Sequence, residues 1–144
     1  MLPENYLIVM VGLSRSQMAM LPKHILGFPA IQTQDELSMI YSMADILLSL
    51  SGSETFGMTM AEVLACGVSV IAYNNTAQPE IVTAETGEIV REKDINAVVE
   101  AIKGIVLKND YGHACRQRAM KMYDRNMKYR DYINLYETLA QSKS

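Results

Sequence analysis

The chain has 144 residues, of which 49% are hydrophobic and 20% charged, and its net charge is −3. This length fits one domain, and the apolar content excludes an intrinsically disordered protein. A sequence pI of ≈ 5.4 argues against a nucleic-acid-binding protein, because such domains usually have a pI above about 9. Cys66 and Cys115 have no metal-ligand spacing around them, so we expect buried, reduced thiols of a cytosolic protein.

Apolar runs of strand length alternate with segments of helical period, which predicts an α/β fold with a parallel sheet. The predicted strands are residues 5–11, 24–27, 45–50, 68–73 and 86–90. Two helices are predicted from their caps: one opens at a Thr33–Glu36 capping box and one opens at Asp94. Further helices are predicted at residues 57–66, 111–123 and 129–140, with a short helical turn at 79–82. The eleven methionines are expected to fill gaps in the core, and no apolar run is long enough to cross a bilayer.

The segment from Ser51 to Glu62 holds the residues best suited to chemistry. It follows a predicted buried strand and runs into a helix, which is where open α/β sheets bind ligands. Gly57 permits close approach of the backbone, and the free N–H groups of the helix start favour a phosphate or diphosphate. Glu54 in the loop and Glu62 on the helix have three interpretations: solvated carboxylates, the acid and base of a glycosidase, or ligands for the hydroxyl pairs of a sugar nucleotide. Their spacing alone does not decide among these.

The sequence from Glu54 to Glu62, with Val63-Leu-Ala-Cys-Gly67 after it, resembles the E-x7-E signature of the retaining glycosyltransferases of family 4, also called glycosyl transferases group 1. Such enzymes have the GT-B fold, which consists of two Rossmann-like domains. After this signature, segments 68–73, 79–82 and 86–90 match the family pattern in order. Before the signature, segments 11–12, 24–27 and 36–45 match it as well. The resemblance covers nearly the whole chain and is greatest to bacterial capsule and exopolysaccharide transferases.

The resemblance implies a role for each matching residue. Glu54, the catalytic position, is expected to hold hydroxyls of the donor sugar, and Glu62 the ribose hydroxyls. Further contacts to the sugar and diphosphate are expected from Phe56, Gly57, Met58 and Thr59. Contacts to the ribose and base, made largely by backbone groups, are expected from Gly12, Leu13, Gly27 and Phe28.

The resemblance also implies that residues 1–144 form a single but incomplete donor-binding domain, Rossmann-like and C-terminal in a longer enzyme, with C-terminal helices at about 111–140. Its relatives have an earlier strand–helix unit carrying an Arg and a Lys that grip the donor diphosphate, and an N-terminal domain that binds the acceptor. Arg15 and Lys23 follow a later strand of the pattern and are not assigned that role. We therefore expect the chain to be inactive alone.

As part of a longer chain, the expected activity is that of a hexosyltransferase-type enzyme that moves a sugar with retention from a UDP-, GDP- or ADP-sugar to a polysaccharide or lipid-linked acceptor. No metal or other cofactor is expected. The expected location is the cytoplasm. A basic stretch from Arg116 to Arg130 is expected to be a solvated helix face, and the alternative is peripheral contact with the inner face of a membrane. The alternative is a non-catalytic nucleotide-sugar-binding module. A receiver-like signalling domain is disfavoured because Val11-Gly12-Leu13 lacks the acidic residues that such a domain needs.

Overall fold

The computed structural model describes residues 6–108 and 110–142, so the predicted strand start at Asn5 lies outside the described residues. Strands and helices alternate as expected. The strands are β1 (Ile8–Val11), β2 (Ile25–Phe28), β3 (Ile46–Ser49), β4 (Ser69–Tyr73) and β5 (Gly87–Val90). The helices are α1 (Arg15–Ala19), α2 (Gln34–Ser42), α3 (Met58–Ala65), α4 (Gln78–Ile81), α5 (Ile95–Lys108), α6 (Gly112–Tyr123) and α7 (Arg125–Gln141).

The strands form two parallel sheets instead of the one sheet that the sequence predicts. β1 pairs with β2, with Ile8 opposite Ile25, while β3, β4 and β5 pair in that order. The α/β class is confirmed, because every pairing is parallel and helices connect successive strands. The difference arises because, within the described ranges, no hydrogen-bonded ladder joins β1 to β3.

The core surrounds β4, all five residues of which are buried. Val70 and Ala72 pack with Met60 and Leu64 of α3 and with Cys115 of α6. The alternate residues Ile71 and Tyr73 pack with α5. Because successive side chains of a strand point to opposite faces, β4 is covered on both sides, which explains its nearly continuous apolar sequence.

Side-chain caps set the starts of several helices. The Asp94 carboxylate accepts the Ala97 N–H at 3.0 Å, which confirms the predicted cap of α5. Thr33 accepts the Glu36 N–H at 3.3 Å, as predicted for α2. The predicted second half of that capping box is wrong, because the Glu36 carboxylate accepts from the Thr33 hydroxyl instead of from its backbone N–H.

Two features of the helices were not predicted. α1 was missed, although Ser14 and Gln17 form a full capping box at its start. α7 begins at Arg125, four residues before the predicted start, because Asp124 accepts the Met127 N–H at 2.8 Å. Among the described residues, no helix is both long enough and apolar enough to cross a membrane.

The expectation that the methionines fill the core is wrong. Met60 is buried, but eight of the eleven are exposed: Met10, Met20, Met39, Met43, Met58, Met120, Met122 and Met127. Cys115 is fully buried as expected, whereas Cys66 is partly exposed. The exposed methionines lie outside the two clusters of buried residues that surround β4.

Candidate functional site

The start of α3 is the structural centre of the predicted site. Gly57 precedes the helix with a φ of +80°, in the left-handed region that favours glycine. A Cβ at this position would also overlap the ends of the Met60 and Ile81 side chains, which is a second reason why glycine is needed here. No side chain caps α3, α4 or α6, whereas side chains cap α1, α2, α5 and α7. The free N–H groups at the start of α3 are thus open to water or to an anion.

Glu54 is half-buried and is held beside this helix start. Its backbone N–H donates to the Thr76 hydroxyl at 2.8 Å, and its carboxylate accepts the Thr55 N–H at 3.0 Å. The Cγ atom of Glu54 lies 3.5 Å from the position that a Gly57 Cβ would take. The loop after β3 and the loop after β4 therefore fix Glu54 together.

Gln78 is a site-positioning residue that the sequence reasoning missed. Its side chain is fully buried, and its Nε2 donates to the Ser49 carbonyl (3.4 Å) and to the carbonyl and hydroxyl of Ser51 (3.3 and 3.2 Å). These bonds tie α4 to the end of β3, where the Glu54 loop begins. The Oε1 atom has no hydrogen-bond partner. A buried glutamine has no recognisable sequence signal, since Gln in a short helical turn usually faces solvent.

The turn after β4 supports the same loop. The Asn75 side-chain amide donates to the Gly52 carbonyl and, at 3.3 Å, to the Glu92 carboxylate. Thr76, with a φ of 39°, is one of two described non-glycine residues with positive φ. This turn therefore supports the loop that leads to Glu54.

Glu62 lies on the exposed side of α3 and faces α2. The Tyr41 hydroxyl donates to its carboxylate at 3.4 Å. Burial, followed by the charge of Glu62, raises the pKa of Tyr41 above its ordinary value. The phenol therefore keeps its proton at neutral pH and remains a donor, which makes Tyr41 an orienting partner of Glu62.

The residues between the two glutamates are largely exposed. Met58 and Thr59 lie in the first turn of α3, and their side chains are accessible. The half-exposed ring of Phe56 packs edge-on against Tyr123 of α6, with a centroid distance of 5.9 Å. The predicted contacts of these residues to a sugar and diphosphate remain predictions.

The predicted nucleotide-contacting residues form a second group. The Leu13 N–H donates to the Phe28 carbonyl at 3.0 Å, which joins the ends of β1 and β2. Gly12 has a φ of +89° and open space around it. Gly27 has a packing role, because a Cβ there would overlap Leu21 of the segment after α1 and crowd Leu13 and Met18.

The structure assembles these two groups separately. In the part of the chain that it describes, no hydrogen bond connects Gly12, Leu13, Gly27 or Phe28 with the segment from Glu54 to Glu62. A shallow depression of about 460 Å³ is lined by residues 91–96, and one of about 400 Å³ lies between α6 and α7. Neither depression contains a predicted site residue.

Two residues of the basic stretch are used within the fold. Arg116 donates to the Cys66 carbonyl at 3.2 Å, at the end of α3. Arg118 donates to the Glu80 and Ile81 carbonyls, each at 2.6 Å, at the end of α4. Both guanidinium groups thus satisfy carbonyls that a helix end leaves without partners.

The strand before α3 was predicted to be buried, but β3 has three partly buried residues and one exposed residue, Leu48. Parallel strands that alternate with helices define a Rossmann-like α/β domain. The family model of glycosyl transferases group 1 matches residues 4–122, so the chain belongs to this family. A 41.2 kDa protein of the cps region of Klebsiella pneumoniae is 31% identical over 106 residues, a match that covers 72% of this chain and 30% of the relative.

Solved structures agree with the fold. The HepE protein of Anabaena, in complex with UDP-glucose, has a TM-score of 0.76 at 15% identity over 96% of this chain and 42% of its own. The C-terminal domain of LpcC, a glycosyl transferase group 1 family protein of Francisella tularensis, has a TM-score of 0.62 at 25% identity over 77% of this chain and 60% of its own. The chain spans less than a third of the length of the curated relatives that it matches.

Proposed function

We propose that this chain is the donor-binding domain of a retaining glycosyltransferase of family 4. A nucleotide-diphospho-sugar would lie with its diphosphate at the start of α3, its sugar hydroxyls on Glu54 and its ribose hydroxyls on Glu62. The observation that carries the proposal is the start of α3 at Gly57, which has no side-chain cap. The half-buried Glu54 lies beside this helix start, and Glu62 lies within the same helix. Family membership and the fold shared with UDP-glucose-bound HepE support it.

The proposed reaction breaks the bond between the anomeric carbon of the donor and its phosphate oxygen, and the nucleoside diphosphate leaves with the electron pair. The acceptor hydroxyl forms the new bond and loses its proton, and the sugar keeps its anomeric configuration. Negative charge grows on the departing diphosphate, so donors fixed in advance at that position accelerate the step. The N–H groups of α3 supply such donors at a fixed place.

The helix start alone gives limited binding energy, since its dipole is worth about 0.3–1 kcal/mol per charge near a surface. We therefore propose that the 144-residue chain binds donor weakly and transfers no sugar by itself. Release of nucleoside diphosphate from UDP-, GDP- or ADP-glucose, measured with a polysaccharide acceptor present, should not exceed the rate in buffer. A rate clearly above buffer would contradict this part of the proposal.

Equilibrium dialysis with the three nucleotide-glucoses tests the site itself. Glu62→Gln should weaken binding of the preferred donor about tenfold, because a charge-assisted bond to ribose becomes a neutral one worth about 1.4 kcal/mol less. Glu54→Gln should weaken nucleotide-sugar binding while leaving binding of the free nucleoside diphosphate unchanged. Glu137→Gln, an exposed carboxylate on α7, is the matched control. Equal effects of all three substitutions would contradict the assignment.

The remaining parts of the proposal concern the setting of the reaction. We propose a cytoplasmic enzyme that acts on a polysaccharide or lipid-linked acceptor held by an additional N-terminal domain, in peripheral contact with the inner face of a membrane. No metal ion takes part in the proposed chemistry. Donor binding should accordingly be the same in EDTA and in millimolar Mg²⁺, and a clear rise with Mg²⁺ would contradict the metal-free chemistry.

A further inference from the structure

Helix α6 runs beside α3 in the opposite direction, so that each end of α6 meets the opposite end of α3. Near the start of α6, the Arg116 guanidinium donates to the Cys66 carbonyl at the end of α3. At the end of α6, the Tyr123 ring contacts Phe56, which lies just before α3 begins. The end of α6 is therefore at the same edge of the sheet as the loop after β3, which carries Glu54.

The contact between Phe56 and Tyr123 is an edge-on aromatic pair. The ring centroids are 5.9 Å apart, and the ring planes make an angle of 77°. Aromatic pairs prefer this T-shaped arrangement, because the positive edge of one ring faces the negative face of the other. Tyr123 is half-buried, whereas Phe56 is 50% exposed. Tyr123 is thus the fixed partner of the pair, and its ring limits the positions that the Phe56 ring can take.

Phe56 stands where a shift of its side chain changes the backbone at the start of α3. It directly precedes Gly57, whose φ of +80° turns the chain into the helix, and it follows Glu54 by two positions. Glycine has no Cβ to restrict its own torsion angles, so neighbouring contacts must fix them. The Phe56 ring, held by α6, supplies such a contact on one side of Gly57.

Arg118, which precedes Tyr123 on α6, supports Gly57 from another side. Its guanidinium donates to the carbonyls of Glu80 and Ile81, each at 2.6 Å. The Ile81 side chain in turn reaches Gly57, since a Cβ added there would overlap its Cδ1 atom. Burial raises the pKa of Tyr123, with smaller effects from Arg118, which lowers it, and from Glu80, which raises it. Tyr123 and Arg118 therefore belong to one set of contacts around Gly57.

We infer that Tyr123 is a positioning residue for the donor site. Through the Phe56 ring it fixes the backbone at Gly57, and this sets the direction of the free N–H groups of α3. The same contact restricts the loop that carries Glu54. This role rests on the proposed function, because it requires that these groups hold the donor. Groups fixed in advance bind more tightly than mobile ones, since less ordering remains to be done when the ligand arrives.

NMR of the wild-type chain with ¹³C-labelled phenylalanine and tyrosine rings tests the contact. The chain has two phenylalanines, Phe28 and Phe56, so the signals of the Phe56 ring can be assigned readily. A nuclear Overhauser effect should join this ring to that of Tyr123. Titration with UDP-, GDP- and ADP-glucose should shift the Tyr123 ring signals at the same donor concentration as the amides of Met58 and Thr59. An absent Overhauser effect, or constant Tyr123 signals while those amides shift, would overturn the inference.

Three variants test the role in donor binding by equilibrium dialysis below the melting temperature. Tyr123→Leu removes the ring and should shift the Met58 and Thr59 amides of the free chain. It should also raise the donor dissociation constant about three- to tenfold, the range that an aromatic pair contributes. Tyr123→Phe keeps the ring and should bind donor within about twofold of the wild type. Cys115→Ala is the matched control, because Cys115 is a buried residue of the same helix that bonds to the Thr86 carbonyl at the other edge of the sheet.

The outcomes distinguish a failure of this role from a failure of the proposed function. Unchanged donor affinity in Tyr123→Leu, an equal loss in Tyr123→Phe, or an equal loss in Cys115→Ala would overturn the positioning role and leave the proposed function standing. If Tyr123→Leu does not fold, the wild-type titration decides. Failure of all three nucleotide-glucoses to bind the wild-type chain would overturn the proposed function and the positioning role with it, whether or not the two rings are in contact.

Discussion

The half of the molecule built on β3, β4 and β5 and the half built on β1 and β2 have similar apolar strand sequences but very different surroundings. Every residue of β4 is buried, whereas three of the four residues of β1 are exposed. β4 has a strand on each side and a packed cluster on each face, while β1 has one strand. The difference shows that an apolar run specifies a strand, but that its burial depends on which neighbours are present.

The largest expected difference between the halves comes from two glycines. A Cβ at Gly87 would overlap the backbone carbonyl of Val70 within the β4–β5 ladder, whereas a Cβ at Gly12 meets nothing within 4 Å. Gly87→Ala should therefore abolish cooperative folding of the chain. Gly12→Ala should cost only about 1–2 kcal/mol, which is the penalty for a left-handed φ of +89°. Urea denaturation followed by circular dichroism measures both, and equal losses would contradict the comparison.

Truncation of strand side chains should show the same contrast on a smaller scale. Ile71→Ala in β4 empties a fully buried site and should lower the free energy of unfolding by about 2–5 kcal/mol. Val9→Ala in β1 should cost less than about 0.5 kcal/mol, because 45% of this residue is exposed to water in the folded chain. A loss of more than 2 kcal/mol for Val9→Ala would mean that β1 is covered in solution.

Gln78 tests the support of the Glu54 loop. Gln78→Leu keeps the volume but leaves the carbonyls of Ser49 and Ser51 without their donor, so the chain should lose about 1–3 kcal/mol. Binding of nucleotide sugar should weaken as well, since the loop that carries Glu54 is freed. Thermal unfolding and donor dialysis check the two effects. An unchanged melting temperature would show that the buried amide does not hold the loop.

Tyr41 provides the smallest expected effect. Tyr41→Phe removes the donor that orients Glu62. It should weaken binding of the ribonucleotide donor about two- to twelvefold, since one hydrogen bond is worth about 0.5–1.5 kcal/mol. Binding of the 2′-deoxy nucleotide, measured in the same dialysis, should change little.

The pH dependence of the same pair has a defined sign. The pKa of Tyr41 is raised, so the folded state holds this proton more tightly than the unfolded state. The stabilisation is complete below the ordinary tyrosine pKa of about 10 and is lost as the pH rises through the folded value. The contribution of Tyr41 to binding should thus be constant from pH 6 to pH 9, and a decline within that window, absent in Tyr41→Phe, would contradict the assignment.

Local signals in the sequence predicted most of the elements and parts of the candidate site. Strand runs, the Asp94 cap and Gly57 before α3 each depend on neighbouring residues, and the structure confirms them. What failed depends on distant parts of the chain. The sequences of β1 and β3 give no sign that these two strands belong to separate sheets. Gln78 supports the Glu54 loop only through hydrogen bonds to residues about 27 positions away in the sequence. The burial of the methionines was predicted wrongly for the same reason, since it depends on contacts with residues distant in the sequence, which local periodicity does not reveal.

The most direct test of the central claim is an NMR titration of the ¹⁵N-labelled chain with UDP-, GDP- and ADP-glucose at millimolar concentrations. The account predicts that one of these donors shifts the amide resonances of Met58 and Thr59 at the start of α3, and that Glu62→Gln reduces these shifts while Glu137→Gln does not. Saturable binding that leaves α3 unperturbed, for instance with shifts confined to residues 91–96, would contradict it.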